Sequence, residues 1–172
     1  MNAENLIRRL DDFGRALPAA VSVVTADEAR WKPPSGAWSI LEIVCHLGDE
    51  ETDDFRTRLK LTLESPNSVW PPIDPEGWAR ERGYLDRELG PAVQSFVNER
   101  RRSVDWLRSL KHPDWARAHV HPKFGPISAG SLLASWAAHD ALHLRQIAKR
   151  LYELARLDAG EHKIDYAGEW RA

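Results

Sequence analysis

His139 and His143 stand four residues apart and share one helix face. That face also carries Leu132, Trp136 and Ile147, so both imidazoles are expected to point into a core. Buried polar rings need partners, and one divalent cation satisfies two of them at once. His46 sits about two turns into another helix, at a depth comparable with the pair, which stands three to four turns into its own. The spacing alone leaves two readings open: metal ligands, or core-edge histidines hydrogen-bonded to neighbours. With 7 histidines in the chain, chance gives roughly 0.3 pairs at this spacing. Three imidazoles would leave coordination positions free, the arrangement of a catalytic rather than a structural metal. The all-nitrogen set suits zinc, nickel, cobalt or iron and disfavours calcium and magnesium. Such an ion acidifies a water or holds a thiolate.

The residues around these three extend the chemistry. Glu50 lies one turn past His46, where it could hold a water, act as a general base or orient a ligand; equally, it belongs to the acidic run 49–54 as a solvated charge. Gln146 falls on the face of His139 and His143 and is expected to contact a ligand or a histidine ring. Asp140 is offset from that face, which suits an inter-helix hydrogen bond and not direct ligation. Cys45 is expected to be buried and inert. His119 and His121 alternate in a segment with Pro122 and Gly125, which favours a structural loop over a second metal pair. Arg100, Arg101 and Arg102 suggest surface ion pairs. Trp38 and Trp136 are expected in the core, and Trp70 and Trp78 as loop anchors.

Four amphipathic segments must position these groups. The first runs from Leu6 to Val24 with Pro18 inside it, where the proline bends or ends the helix. A turn at Lys32–Gly36 precedes the second, which opens on a Ser39/Glu42 capping box with Trp38 as its hydrophobic staple and continues to Leu63. Residues 65–77, rich in proline, predict a long irregular crossover that could wall a site. Helical character returns near Trp78 and is firm from Leu89 to Leu110, with Gly90-Pro91 as a kink or restart. A loop over 112–127 leads to Ser128, the N-cap of a fourth helix reaching Leu154. Residues 158–172 read as a polar tail with Tyr166 and Trp170 as anchors, and no strand shows convincing alternation. The expected fold is all-α: an up-down-up-down four-helix bundle with a long crossover between helices two and three, in a single domain over 1–172 whose core spans about 5–155.

Composition narrows the function. Of 172 residues, 42% are apolar and 29% charged, a soluble, core-forming balance, and the net charge of −2 offers nothing to nucleic acid or an anionic membrane. A single cysteine excludes an internal disulfide and a cysteine-rich zinc site. Charges interrupt the N-terminal segment and no apolar run reaches a membrane span, so a cytoplasmic protein is expected. There is no phosphate-binding glycine loop, no G-x-S-x-G and no H-E-x-x-H, and no organic cofactor site is expected.

Trp38-Ser39-Ile40, Glu42, His46-Leu47 and Asp49-Glu50 resemble the second-helix motif of the DinB-like (YfiT-like) metalloenzymes. His139-Asp140, His143-Leu144 and Gln146-Ile147 are similar to that family's fourth-helix motif; His121-Pro122 with Gly125 fits its loop, and Phe96 with Arg100 its third helix. The resemblance covers about residues 5–155. It implies a four-helix bundle with a divalent metal on His46, His139 and His143, a small-molecule substrate and a homodimer. Relatives in the wider superfamily include S-transferases that use low-molecular-weight thiols. Two chemistries are therefore expected, thiol transfer or hydrolysis, with a thiol cosubstrate in the first case. The alternative is a non-enzymatic metal-binding stress, sensor or dimerisation protein.

Overall fold

The computed structural model of the chain describes residues 1–170. Helix α1 (Ala3–Val21) is capped by Asn2, whose side chain accepts from the Asn5 N–H at 3.0 Å, and it continues through Pro18. A short helix α2 (Ala26–Arg30), absent from the periodicity, is set by its own capping box of Thr25 and Glu28. The second long helix opens on the expected Ser39/Glu42 box as α3 (Ile40–Asp49), passes through a π-helical segment (Glu50–Phe55) and ends as α4 (Arg56–Glu64). The crossover carries α5 (Pro75–Glu81), started by Asp74 with proline in its first turn, and a 3-10 turn at Tyr84–Asp86. Helix α6 (Leu89–Ser109) holds Gly90-Pro91 in its first turn, where a missing N–H is not felt, so the pair marks a start and no kink. Strands β1 (Ala118–His121) and β2 (Gly125–Ser128) then pair antiparallel, Ala118 against Ser128 and His121 against Gly125. Gly125, at φ +71°, takes a left-handed conformation at the turn. This hairpin corrects the expectation of no strand: four residues are too few to display a period of two. Ser128 caps α7 (Ala129–Asp158) as expected. In the tail Trp170 packs on Tyr152 with ring centroids 5.7 Å apart, whereas Tyr166 is fully exposed and anchors nothing; residues 171 and 172 lie outside the described residues.

The four-helix bundle is present; the directions of its helices differ from simple alternation. Helix α1 packs principally on α6 and α7, and the second long helix does the same, so these two occupy one diagonal. Asp11 meets Arg108 while Phe13 meets Phe96, so α1 and α6 run antiparallel. Glu51 meets Arg100 and Arg56 meets Ser103, so the second helix and α6 run parallel. His46 meets His139 and Phe55 meets Trp136, so the second helix and α7 run antiparallel. The order is up, down, down, up. Two consecutive parallel helices need a connection that travels the length of the bundle, which is the physical reason for the long crossover. Its return is fastened where the Tyr84 hydroxyl donates to Asp49 and Arg82 pairs with Asp49 and Asp53 at 2.8 and 2.7 Å.

All four long helices meet at Arg100, which is only 2% exposed and is not the surface charge expected from its basic run. Its guanidinium donates to Asp140 of α7 at 2.6 and 2.8 Å, to Glu51 at 2.7 Å, and to the Leu10 carbonyl of α1 at 2.9 Å. Glu51 also accepts from Ser103 at 2.7 Å and from the Trp136 indole at 2.9 Å. Gly14 makes room for this arginine, because a Cβ there would stand 2.8 Å from Arg100 Cγ. Burial pushes the Asp140 carboxyl up to about 6, against the pull of Arg100. Removing one member of such a cluster strands the others. Arg100→Gln is expected to cost about 3–5 kcal/mol in urea denaturation, and Ser103→Ala about 1 kcal/mol. An Arg100→Gln variant within 1 kcal/mol of the parent would refute a structural role for the cluster.

Candidate metal centre

His46 lies near the C-terminal end of α3 because the Ser39 cap fixes where that helix starts. His139 and His143 project from adjacent turns of α7 toward it. One nitrogen of each ring falls within 4.8 Å of the others. His139 Nε2 is 3.4 Å from His46 Nε2 and 3.0 Å from His143 Nε2. Two nitrogens that share a tetrahedral ion at ~2.05 Å stand about 3.3 Å apart. The observed spacings bracket that value.

The protonation pattern fits the same reading. Burial, reinforced by the neighbouring rings, lowers His46 to about 2 and His139 to about 3. Burial also lowers His143, partly offset by its bond to Gln146. All three are therefore neutral near pH 7, each with one nitrogen lone pair. The Gln146 side-chain oxygen stands 2.9 Å from His143 Nδ1 and can only accept, so the proton of this ring sits on Nδ1 and its Nε2 lone pair faces inward. His46 Nδ1 is buried with no partner among the described residues. Its nearest acceptor is Glu50 Oε1 at 3.7 Å, which is likewise unpartnered. With the His143 proton on Nδ1, its Nε2 lone pair faces the Nε2 atom of His139 at 3.0 Å. One cation within reach of the three ring nitrogens would satisfy all of them at once.

Glu50 is buried, which overturns the solvated reading of the acidic run. Burial, then the neighbouring Asp54, pushes its carboxyl up to about 9. The two carboxyls lie against one another, and Arg58 pairs with Asp54 at 2.9 Å. Glu50, Glu51, Asp54 and Phe55 of the π segment all face inward. Asp140 touches Arg100 and no histidine ring, which is the inter-helix bond expected of it. Trp38 is half-buried against the His46 ring, with centroids 4.7 Å apart, and Phe55 stacks on Trp136 while presenting to His139 at 5.0 Å.

The other candidates stand apart. Cys45 is buried, its thiol pushed up to about 11, and it joins no metal-binding group among the described residues. His119 Nδ1 donates to the Pro66 carbonyl at 2.9 Å, and His121 Nδ1 accepts from the backbone of Lys123 and Phe124. Both rings lie against Trp70, so they brace the crossover and form no second metal pair. Trp78 carries the Arg82 guanidinium over its ring at 4.0 Å. A cleft of about 1010 Å³ reaches the edge of the centre through Trp38 and Gln146, with the three histidines behind that wall. Sequence reasoning missed Glu51 and Asp54, which lie five residues past His46 and four past Glu50 in a run that looks solvated.

Relatives were then compared. The sequence description of the DinB superfamily matches residues 9–147. A candidate metal-dependent hydrolase of Oceanobacillus iheyensis is 27% identical over 142 residues, covering 82% of this chain and 80% of its own. The candidate metal-dependent hydrolase YfiT of Bacillus subtilis is 23% identical over 150 residues, covering 84% of this chain and 83% of its own. The solved structure of YfiT, described as a probable metal-dependent hydrolase with an unusual four-helix bundle topology, superposes with a TM-score of 0.80 at 21% identity, over 89% of this chain and 87% of that one. That likeness bears on the fold.

The lowered histidines give a direct check. In chelated protein, the His46 and His139 ring resonances are expected to keep their neutral-form shifts from pH 8 to pH 5. Titration of either ring near pH 6.5 would mean that it is solvated and not held in the buried cluster.

Proposed function

The chain belongs to the DinB superfamily, and on that premise we propose that it is a metal-dependent hydrolase of a small molecule, with His46, His139 and His143 holding one divalent transition-metal ion. The convergence of three neutral Nε2 atoms within the reach of one ion carries this reading. Zinc, nickel, iron and cobalt all accept that donor set. Such an ion, when bound, supplies Lewis acidity that brings a coordinated water toward ionisation near neutral pH.

The chain's own residues prepare the site. The Gln146 side-chain oxygen accepts a hydrogen bond from the Nδ1–H of His143 and so keeps Nε2 free. Glu50 stands beside His46, its Oε1 3.7 Å from Nδ1, where it is placed to orient that ring. Asp140 works at one remove, through the Arg100 bonds that seat α7. Trp38 and Phe55 exclude water from the inner side of the rings. Hydrolysis is favoured over thiol transfer because both relatives are named as hydrolases. A single domain over residues 1–172, a cytoplasmic location and a homodimer go with this reading, supported by the family resemblance; among the described residues no helix is long and apolar enough to cross a membrane.

Protein purified without added metal is expected to carry about one ion per chain by elemental analysis, and His143→Ala to lose most of it. Gln146→Leu is expected to weaken metal affinity about 10–100-fold with the fold intact. A panel of chromogenic esters and amides, with thiols plus a chromogenic electrophile alongside, should show hydrolysis that disappears on chelation. Metal-dependent turnover only with a thiol would replace hydrolysis by transfer. Bound metal without turnover of any kind would favour a sensor.

A further inference from the structure

We propose that the cleft beside the metal centre is an anion-binding subsite that takes the carboxylate or phosphate group of the substrate. The substrate is then an acidic small molecule. This deepens the hydrolase reading and rests on it for the identity of the bound anion as substrate.

The observation behind it is Arg150. This side chain lines the cleft and is 4% exposed. One terminal nitrogen pairs with Glu153 at 2.9 Å, while Nε and Nη1 have no acceptor among the described residues. A buried donor without an acceptor costs about 1–3 kcal/mol, and more on a charged group. Such a cost points to a partner that arrives from outside. The guanidinium fork matches a carboxylate or a phosphate in two parallel bonds.

The neighbouring α7 side chains have the same sign. Arg145 and Lys149, from the same stretch of α7, are exposed on this wall and have no ion-pair partner among the described residues. Glu42, nearby, is already neutralised by Lys32 at 2.7 Å. The remaining acids of the cleft, Glu76 and Asp86, come from the crossover, so the charged residues that α7 contributes to its lining, Arg145, Lys149 and Arg150, are all cationic.

The register ties the cleft to the centre. Arg150 follows His143 by seven residues and so stands on the same face, two turns on, about 10 Å away. Gln146 lies between them and touches both the His143 ring and the cleft. A molecule with its acidic end at Arg150 and a scissile group about 10 Å off spans the two.

Inorganic phosphate and glutarate are the probes, titrated calorimetrically into the full chain at constant ionic strength, once chelated and once metal-loaded. Saturable binding at one site per chain is expected in both forms. The exposed pair Arg145→Gln/Lys149→Gln should weaken it about tenfold, and Arg150→Gln should abolish it while Arg150→Lys restores part. If Arg150→Gln fails to fold, the exposed pair decides. Saturation by phosphate alone assigns a phosphoryl group, and by glutarate alone a carboxylate. The subsite is overturned if neither probe saturates, or if the exposed pair leaves binding unchanged. Anion binding by a chain that takes up no metal would keep the subsite and remove the hydrolase reading. Metal uptake without anion binding would do the reverse.

Discussion

A guanidinium and two carboxylates stripped of water are costly to bury, and the cost is recovered only when nearly every donor and acceptor is met. Around Arg100 they are met, by groups from all four long helices. The register of each helix is therefore tied to one point. Glu51 is the neighbour of Glu50, and Asp140 is the neighbour of His139. Fixing the charge cluster thus fixes, one residue away on each helix, the groups of the metal centre. The three imidazoles do not need to find one another; the core brings them together in their neutral, ligand-ready form.

The π segment is the second half of the same device. Over the π segment Glu50–Phe55 the second helix presents Glu50 to His46 and Glu51 to Arg100. One stretch of chain serves both the structural cluster and the centre.

What was legible in the sequence is what local chemistry decides. Ser39 with Glu42 and Ser128 located two helix starts, because caps act over three residues. The stripe through Trp136, His139, His143 and Ile147 located the inward face of α7. What was hidden depends on partners far along the chain. Arg100 reads as a surface charge until Glu51 and Asp140 are seen beside it. The acidic run reads as solvated until its π winding is known. Helix direction is set by where the crossover lands, through Tyr84 and Arg82 on Asp49, and those contacts leave no periodic trace.

X-ray absorption at the zinc edge of zinc-loaded protein addresses the centre without assuming a substrate. Three nitrogen neighbours at about 2.0–2.1 Å with imidazole outer-shell scattering are expected, falling to two in His139→Ala. A first shell of oxygens, or a spectrum indifferent to the loss of His139, would contradict a three-histidine centre.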